Sequence, residues 1–542
     1  MKAKKMVAAL LALVTLSSVG LVGCGNKSQA TSGTKTEGAS SEVSSNFNPT
    51  GDKIVNEPVT FKIVVAKEAE VGNFDELKFF EDYAAKTNVN IEWDIYSSEA
   101  WKEQKNLLFA ASGSMPDAFF GMWTLEDLDV AKYGSQGLLI PLEDYIEEYG
   151  TNLQQVLDTD ETYEKLMKSP DGHIYGLPGI DESTGGINGP MYIKKDWLDK
   201  VGMDIPTTTD ELYEVLKAFK AGGDLNENGM ADEIPLGFRF DSLITGFYQW
   251  LGAFDIVCER NFMMLEEDES LSFVANTQEY REALEYFNKL YSEGLLDPES
   301  FTQTESVYTS KFKSKDSVYG VGTIWSMHNA FGTDDPAVTG YVPMLPLKGP
   351  NGAQKWMERP GGLRSNGAFA ITSACENPEI LMRWVDGMYE ADTATQAYYG
   401  LEGVALERKA DGGWSKIQSD GGSEDLRHAE APGKRAIPAI TQTIYDSIEK
   451  DNAIMERENI YDTYESFIYQ VPKKPMKTVE ETDELGIIEV EVTDYVKKMT
   501  AEFISKGITD AGWETYCKGL NNLRLDRYVE LYNQVYSRYT GK

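Results

Sequence analysis

Between Val59 and Gly121, apolar β-rich stretches alternate with segments of helical period, and few architectures accommodate that order. Val59–Ala66, with FKIVVA at its centre, is expected to be a strand. A helix from about Asp75 to Thr87, a strand Val89–Tyr96 and a helix Trp101–Ala111 should follow. Met115-Pro116-Asp117 then turns into a short strand, Ala118–Gly121. A β-α-β-α-β order asks for a mostly parallel sheet with helices on its faces. Ligands of such sheets sit outside the carboxyl ends of the strands. Glu68 and Trp123 fall just past two of those ends and are candidate cleft residues. A second α/β unit begins near residue 190, with a strand Met191–Lys194, a helix Asp196–Val201 and a helix capped by Thr209 that runs to about Ala221. A later strand, Ser317–Ile324, delivers Trp325, and the strand Gly367–Thr372 leads into a helix with Pro378 in its first turn. The C-terminal third reads as mainly helical, closing on an aromatic-rich helix from about Arg524 to Tyr539. At 542 residues the chain exceeds one ordinary core and suits two large lobes.

The N-terminus points outside the cytoplasm. Lys2, Lys4 and Lys5 precede an apolar run from Met6 to Val22, the pattern of a secretory signal. Leu21-Val22-Gly23-Cys24-Gly25 resembles a bacterial lipobox, which implies a signal peptide over 1–23 and lipidation of Cys24. Residues 24–55 are dominated by Asn, Ser, Thr, Gly and Gln, bury little, and read as a disordered tether from the outer face of the cell membrane. The net charge of -37 repels phosphate backbones, so nucleic acid is not an expected partner. Four cysteines without a CxxC spacing make neither a disulfide framework nor a zinc site. Three histidines leave little for histidine-based catalysis. The chain is read as a monomer and not as an enzyme.

Five segments together resemble a known family: DGHIYGLPG (171–179), MYIKKDWLDKVGMDIPTTTDELYEVLKAF (191–219), DLNENGMADEIPLGF (224–238), ITSACENPEILMRWVD (371–386) and WETYCKGLNNLRLDRYVELYNQVYSRY (513–539). The chain resembles a family 1 extracellular solute-binding protein of a bacterial ABC importer, in the large lipoprotein subgroup of LplA-like and alginate-oligosaccharide-binding proteins. That resemblance implies an α/β, two-lobed periplasmic-binding-protein-like fold of type II. Its lobes are discontinuous and joined by hinge crossings, with a helical C-terminal part. The expected N-terminal lobe is 56–185 plus 318–368, and the C-terminal lobe 186–317 plus 369–542. The implied partners are a solute between the lobes and the permease subunits in the membrane.

The segment 224–233 carries oxygen side chains at alternate positions and then a glycine, like the start of an EF-hand loop. Asp224, Asn226 and Asn228 would ligate calcium through side chains, Met230 through its carbonyl, and Asp232 and Glu233 would complete the shell. Pro235 stands where an EF-hand has its last glutamate, a departure from the full pattern. The expected calcium is structural, pinning the preceding helix to the strand at 233–238. The same composition also suits a plain solvated turn.

A sugar needs flat apolar faces for its ring and bidentate polar groups for its hydroxyls. Trp123 and Trp325 follow first-lobe strands, Arg239 and Asp241 follow the strand after the calcium loop, Tyr248 and Trp250 lie on the next helix, and Arg364 and Asn366 sit near an expected crossing. With Glu68 these are the candidate carbohydrate-binding residues. Trp197, Trp384 and Trp513 lie at helical spacing among apolar residues and read as core. Two alternatives stay open: a secreted glycoside hydrolase, which needs two carboxylates across a cleft, and a binder of another polar solute such as a peptide.

Overall fold

The computed structural model describes residues 45–542, apart from 112–114, 314–316, 332–338, 419–422 and 437–438. The signal segment, Cys24 and the tether up to residue 44 lie outside the described residues. The alternating pattern of 59–121 becomes strand Val59–Lys67, helix Lys78–Thr87, strand Val89–Ser97, helix Ser98–Ala110 and strand Ala118–Phe120. A short 3-10 turn, Phe74–Glu76, takes the first part of the expected first helix.

These three strands run parallel and form one side of a six-stranded sheet. Its order is Ala439–Ile440, Leu177–Asp181, Gly362–Ile371, Ala118–Phe120, Val59–Lys67, Val89–Ser97. Gly362–Ile371 runs antiparallel to both neighbours, so the sheet is mixed. Ile63, Val64, Val65 and Ala66 are all buried, because helices cover both faces. Against the sheet packs an aromatic cluster of Phe74, Phe80, Trp93, Phe120 and Trp384. Trp384 arrives on helix Pro378–Asp386, whose first position is the expected proline.

The second sheet has four strands in the order Tyr341–Met344, Met191–Lys194, Tyr319–Thr323, Ile234–Leu236. Met191–Lys194, the first strand of the second α/β unit, is antiparallel to both of its neighbours. Helix Thr209–Gly222 packs beside it, started by a capping box: Glu211 N donates to Thr208 Oγ1 at 3.1 Å and Thr208 N donates to Glu211 Oε2 at 3.3 Å. The cap is thus Thr208 rather than Thr209. The 28-residue helix Val479–Lys506 lies against helix Gln278–Ser292 through a Tyr280 hydroxyl–Thr500 hydroxyl bond of 2.7 Å. The aromatic-rich helix Leu525–Thr540 closes the same core through Tyr528, Leu531 and Tyr536. Trp197 is fully buried there, and Trp513 packs against it half-buried.

A third, small sheet joins the two. Its strands are Gly186–Ile187, Trp356–Arg359 and Ile468–Tyr469; the first two each lie between a segment of the first core and a segment of the second, while Ile468–Tyr469 lies within the second, and a third passage falls between Ile440 and Ile460. The chain therefore passes between the cores three times. The segment assignment differs from the expected one. Tyr319–Thr323 pairs with Met191–Lys194 in the second sheet, and Gly362–Ile371 with the following 378–440 belongs to the first. Strand pairing is a long-range choice that the period of a single apolar run does not encode.

Thr208→Ala removes the acceptor for Glu211 N and leaves that helix end uncapped. It is expected to lower stability by about 1 kcal/mol in urea unfolding, with an unchanged slope.

Candidate functional site

Two edges of the fold gather the residues suited to hold a solute. At the first, strands Val59–Lys67 and Ala118–Phe120 end side by side and parallel. The chain leaves the second of these through Gly121 (φ 95°) and Trp123 (φ 66°). A Cβ at Gly121 would lie 2.7 Å from the Arg435 carbonyl oxygen, so only glycine lets the 433–435 segment approach. Trp123 has no such excuse for its left-handed backbone, and the surrounding turn holds it there. Thr124 Oγ1 donates to Phe120 O at 2.7 Å, and Trp101 Nε1 donates to Thr124 O at 2.6 Å. The outcome is an indole 45% exposed at a strand's carboxyl end.

Arg435 locks this edge. Its guanidinium lies 5.2 Å from the Trp123 ring centre, pairs with the Glu68 carboxylate, and donates to Ser98 Oγ at 2.8 Å and to Met122 O. The sequence-predicted Glu68 and Trp123 are thus brought together, by an arginine that sequence reasoning missed. Burial pushes the Glu68 carboxyl up, but the hydrogen bonds and charge of Arg435 outweigh it and hold the group below the usual carboxylate value.

The second edge is the carboxyl end of Tyr319–Thr323. Trp325 follows it, half-buried, between the guanidinium groups of Arg359 at 4.2 Å and Arg457 at 3.2 Å from its ring centre. Nearby, Glu456 accepts from Ser326 Oγ at 2.7 Å, Tyr192 OH at 2.9 Å and, through the ring, His328 Nδ1 at 3.0 Å. That network fixes the turn after Trp325 to helix Asn452–Tyr464. No ring contact joins Trp123 and Trp325, and each platform belongs to its own sheet.

Other sequence-predicted residues are placed differently. Tyr248 and Trp250 are 2% and 4% exposed inside the second core, on an apolar 3-10 helix, Phe247–Phe254, that is buried on every side. They are packing residues, not a cleft wall. Asn366 is buried, and its Nδ2 donates to Asp127 Oδ1 at 3.1 Å, tying strand Gly362–Ile371 to helix Asp127–Ser135. Asp241 is held by Arg260 at 3.0 Å and Lys497 at 3.1 Å, against the long C-terminal helix. Arg239 reaches Glu305 at 3.4 Å. Arg364 is exposed on strand Gly362–Ile371 and makes no ion pair among the described residues.

The loop 224–233 is an oxygen-rich hollow. Asp224 accepts from the backbone N–H of Asn228 and Gly229, each at 2.9 Å, and Asp232 accepts from the amide of Asn228 at 3.1 Å. Asn228 Oδ1 accepts from Met230 N at 2.8 Å. Glu233 turns inward, accepting from the backbone N–H of Leu225 and Asn226, and Met230 points outward. The acids do not form a cluster of three metal-ligating side chains among the described residues. The oxygens of Asn226 and Asn228 accept from Asn228 N at 3.1 Å and Met230 N at 2.8 Å, as in a hydrogen-bonded turn. The amides of Asn226 and Asn228 face the Asp232 carboxylate with their NH2 groups.

Comparison with known proteins follows this geometry. The family model for bacterial extracellular solute-binding proteins matches residues 66–395. The fructooligosaccharide ABC transporter substrate-binding protein FusA of Streptococcus pneumoniae is 30% identical, over 97% of both chains. A structure of FusA as an EF-hand mutant in complex with fructo-nystose superposes with a TM-score of 0.72, covering 89% of this chain and 100% of that one. A human-milk-oligosaccharide-binding solute-binding protein associated with an ABC transporter of Bifidobacterium longum infantis has a TM-score of 0.76 at 25% identity, over 90% of this chain and 99% of that one. Lipoprotein LipO of Bacillus subtilis is 32% identical over 44% of this chain and 45% of its own. The type II two-lobed fold expected from the sequence is the fold of these neighbours.

The Glu68–Arg435 pair gives pH dependence a sign. The folded-state value lies below the ordinary 4.5, so the unfolded chain binds more protons as pH falls. The stabilisation is present above that ordinary value and is lost as pH drops through the folded one. Glu68→Gln is expected to destabilise the protein near neutral pH and to flatten the fall in urea midpoint as the pH drops below the ordinary 4.5.

Proposed function

The chain belongs to the bacterial extracellular solute-binding proteins, and we propose that it captures an oligosaccharide and delivers it to the membrane subunits of an ABC importer. One observation carries the reading: an exposed indole, Trp123, is held at a strand's carboxyl end with an arginine against it. Such a ring offers a face to the CH side of a sugar, and the groups around Glu68 and Arg435 offer bonds to hydroxyls. The named ligands and functions of FusA and the Bifidobacterium protein support an oligosaccharide as the class of solute.

Capture follows from the three crossings. A solute that touches both edges stabilises a closed arrangement only by binding it better than the open one. Strands Gly186–Ile187 and Trp356–Arg359, which lie at two of the passages, are segments in which a hinge change would fall. No bond of the solute is broken in this reading, and the relatives' description as substrate-binding proteins supports it. The lipobox resemblance around Cys24 supports a lipid anchor on the outer face of the cell membrane, and the relative named as a lipoprotein agrees with it.

Loop 224–233 is proposed to hold one structural calcium through Asp224, Asn226, Asn228, Asp232 and the Met230 carbonyl. Glu233 closes the loop onto the backbone. FusA, with an EF-hand of its own, supports this assignment.

Calorimetric titration with oligosaccharides should show saturable binding without hydrolysis products. Trp123→Ala should weaken it about tenfold or more, roughly 1.4 kcal/mol; turnover of the sugar would refute the reading. Removal of calcium by a strong chelator should lower Tm, and Asp224→Ala should abolish that difference. Equal melting of the wild type with and without chelator would rule out the calcium site.

A further inference from the structure

Between strand Ile468–Tyr469 and the long helix Val479–Lys506 the chain makes an excursion to the other body. Val471 is buried in the second core, and so is Leu485 on the helix. Between them Met476, 3% exposed, is buried in a different apolar cluster, with Val64, Trp101 and Phe119. Those residues lie on strands Val59–Lys67 and Ala118–Phe120 and on helix Ser98–Ala110, all of the first body. Ser169 Oγ donates to Met476 Sδ at 3.9 Å.

Both flanks of Met476 are fastened to the second body. Arg538, on helix Leu525–Thr540, donates to Met476 O at 3.2 Å and grips the Glu481 carboxylate through two bonds of 2.8 and 2.7 Å. Thr478 N donates to Glu481 Oε2 at 2.9 Å and Glu481 N to Thr478 Oγ1 at 3.1 Å, a capping box that starts the long helix. On the other flank Lys474 pairs with Glu259 at 2.7 Å. Pro472 and Pro475 restrict the backbone between these fastenings. A hollow of about 270 Å3 has Lys473, Pro475 and Lys477 along its wall, together with Asn261, Tyr532 and Tyr536 of the second body. The segment is thus an arch with space beneath it. Methionine suits a contact that is made and unmade, because its unbranched side chain fills an irregular seat without a tight fit.

We propose that residues 472–478 are a latch on the hinge, with Met476 as its peg: the bodies turn about the joining sheet only as Met476 leaves its seat beside Val64, Trp101 and Phe119. This rests on the reading of the chain as a hinged solute binder and adds the contact that sets the balance of its arrangements. The seat adjoins the first solute edge, since Trp101 also donates to Thr124 O and steadies the turn of Trp123. The fit of the peg decides how much of the solute's binding energy goes into moving the bodies.

Small-angle X-ray scattering of the protein without solute tests the latch. Met476→Ala shortens the peg and should shift the radius of gyration from the wild-type value. Arg538→Gln unfastens the arch from the second body and should shift it in the same direction. Met476→Leu refills the seat and should keep wild-type scattering. In calorimetric titration with fructo- and milk oligosaccharides, Met476→Ala should change Kd by about threefold or more, although Met476 lies outside both solute edges. A side chain that only filled space would lower Tm and move neither readout. Folded Met476→Ala and Arg538→Gln proteins with wild-type scattering would overturn the latch. No binding of any of these sugars by the wild type would overturn the saccharide reading and leave the scattering result to decide the latch. Arg538→Gln, at a partly exposed ion pair, carries the test if Met476→Ala does not fold.

Discussion

The rest of the structure hangs on a small sheet of three short strands, two of which carry the chain across the boundary between two cores. Gly186–Ile187, Trp356–Arg359 and Ile468–Tyr469 come from distant parts of the chain, and the first two are on their way from one core to the other, while the third holds them from the second core. Pairing them fixes the relative placement of two bodies, each with its own sheet and its own apolar interior. A few backbone hydrogen bonds are a thin joint beside two large buried cores. Such a joint can hinge while the bodies stay rigid, because packed interiors do not deform continuously.

Each body prepares its edge locally. In the first, glycine at 121 admits the 433–435 segment, and Arg435 then holds Glu68, Ser98 and the Met122 carbonyl together. Trp123 is left projecting, in a backbone conformation that the fold has to impose. In the second, Glu456 gathers three donors and anchors the turn from which Trp325 projects. Both edges thus spend a carboxylate on rigidity, so that the indole beside it has one orientation. Preorganised aromatic groups bind without losing freedom at the moment of contact.

Much of this was legible in the residues. Strand and helix positions in 59–121 agree with the structure to within a few residues, because their periods are strong and their ends carry turn signals. Glu68 and Trp123 were singled out because they follow strand ends, and the structure sets both beside Arg435 at those ends. Tyr248 and Trp250 were misread because the helix that carries them is apolar on all sides, and no periodicity separates a buried face from a lining one. Arg435 lies 367 residues from Glu68, and no local pattern announces such a partner. Sheet membership of 318–361 and of 369–440 was misassigned for the same reason. Arg457 sits on a helix with a mixed surface, where a charged residue ordinarily reads as solvated.

Three passages between the cores also govern the order in which the molecule can be made. A ribosome emits Val59–Lys67 and its helices early, yet the antiparallel strand Gly362–Ile371 that completes their sheet arrives far later. The Tyr83 hydroxyl waits for the Trp384 carbonyl, 301 residues downstream. The first body can therefore not mature before residue 440 has been made, and the second not before the helices that end the chain. Contacts of such span favour slow assembly, late in the life of the nascent chain. A polypeptide that cannot finish folding before its synthesis ends remains threadable for a long interval, which suits passage through a narrow pore.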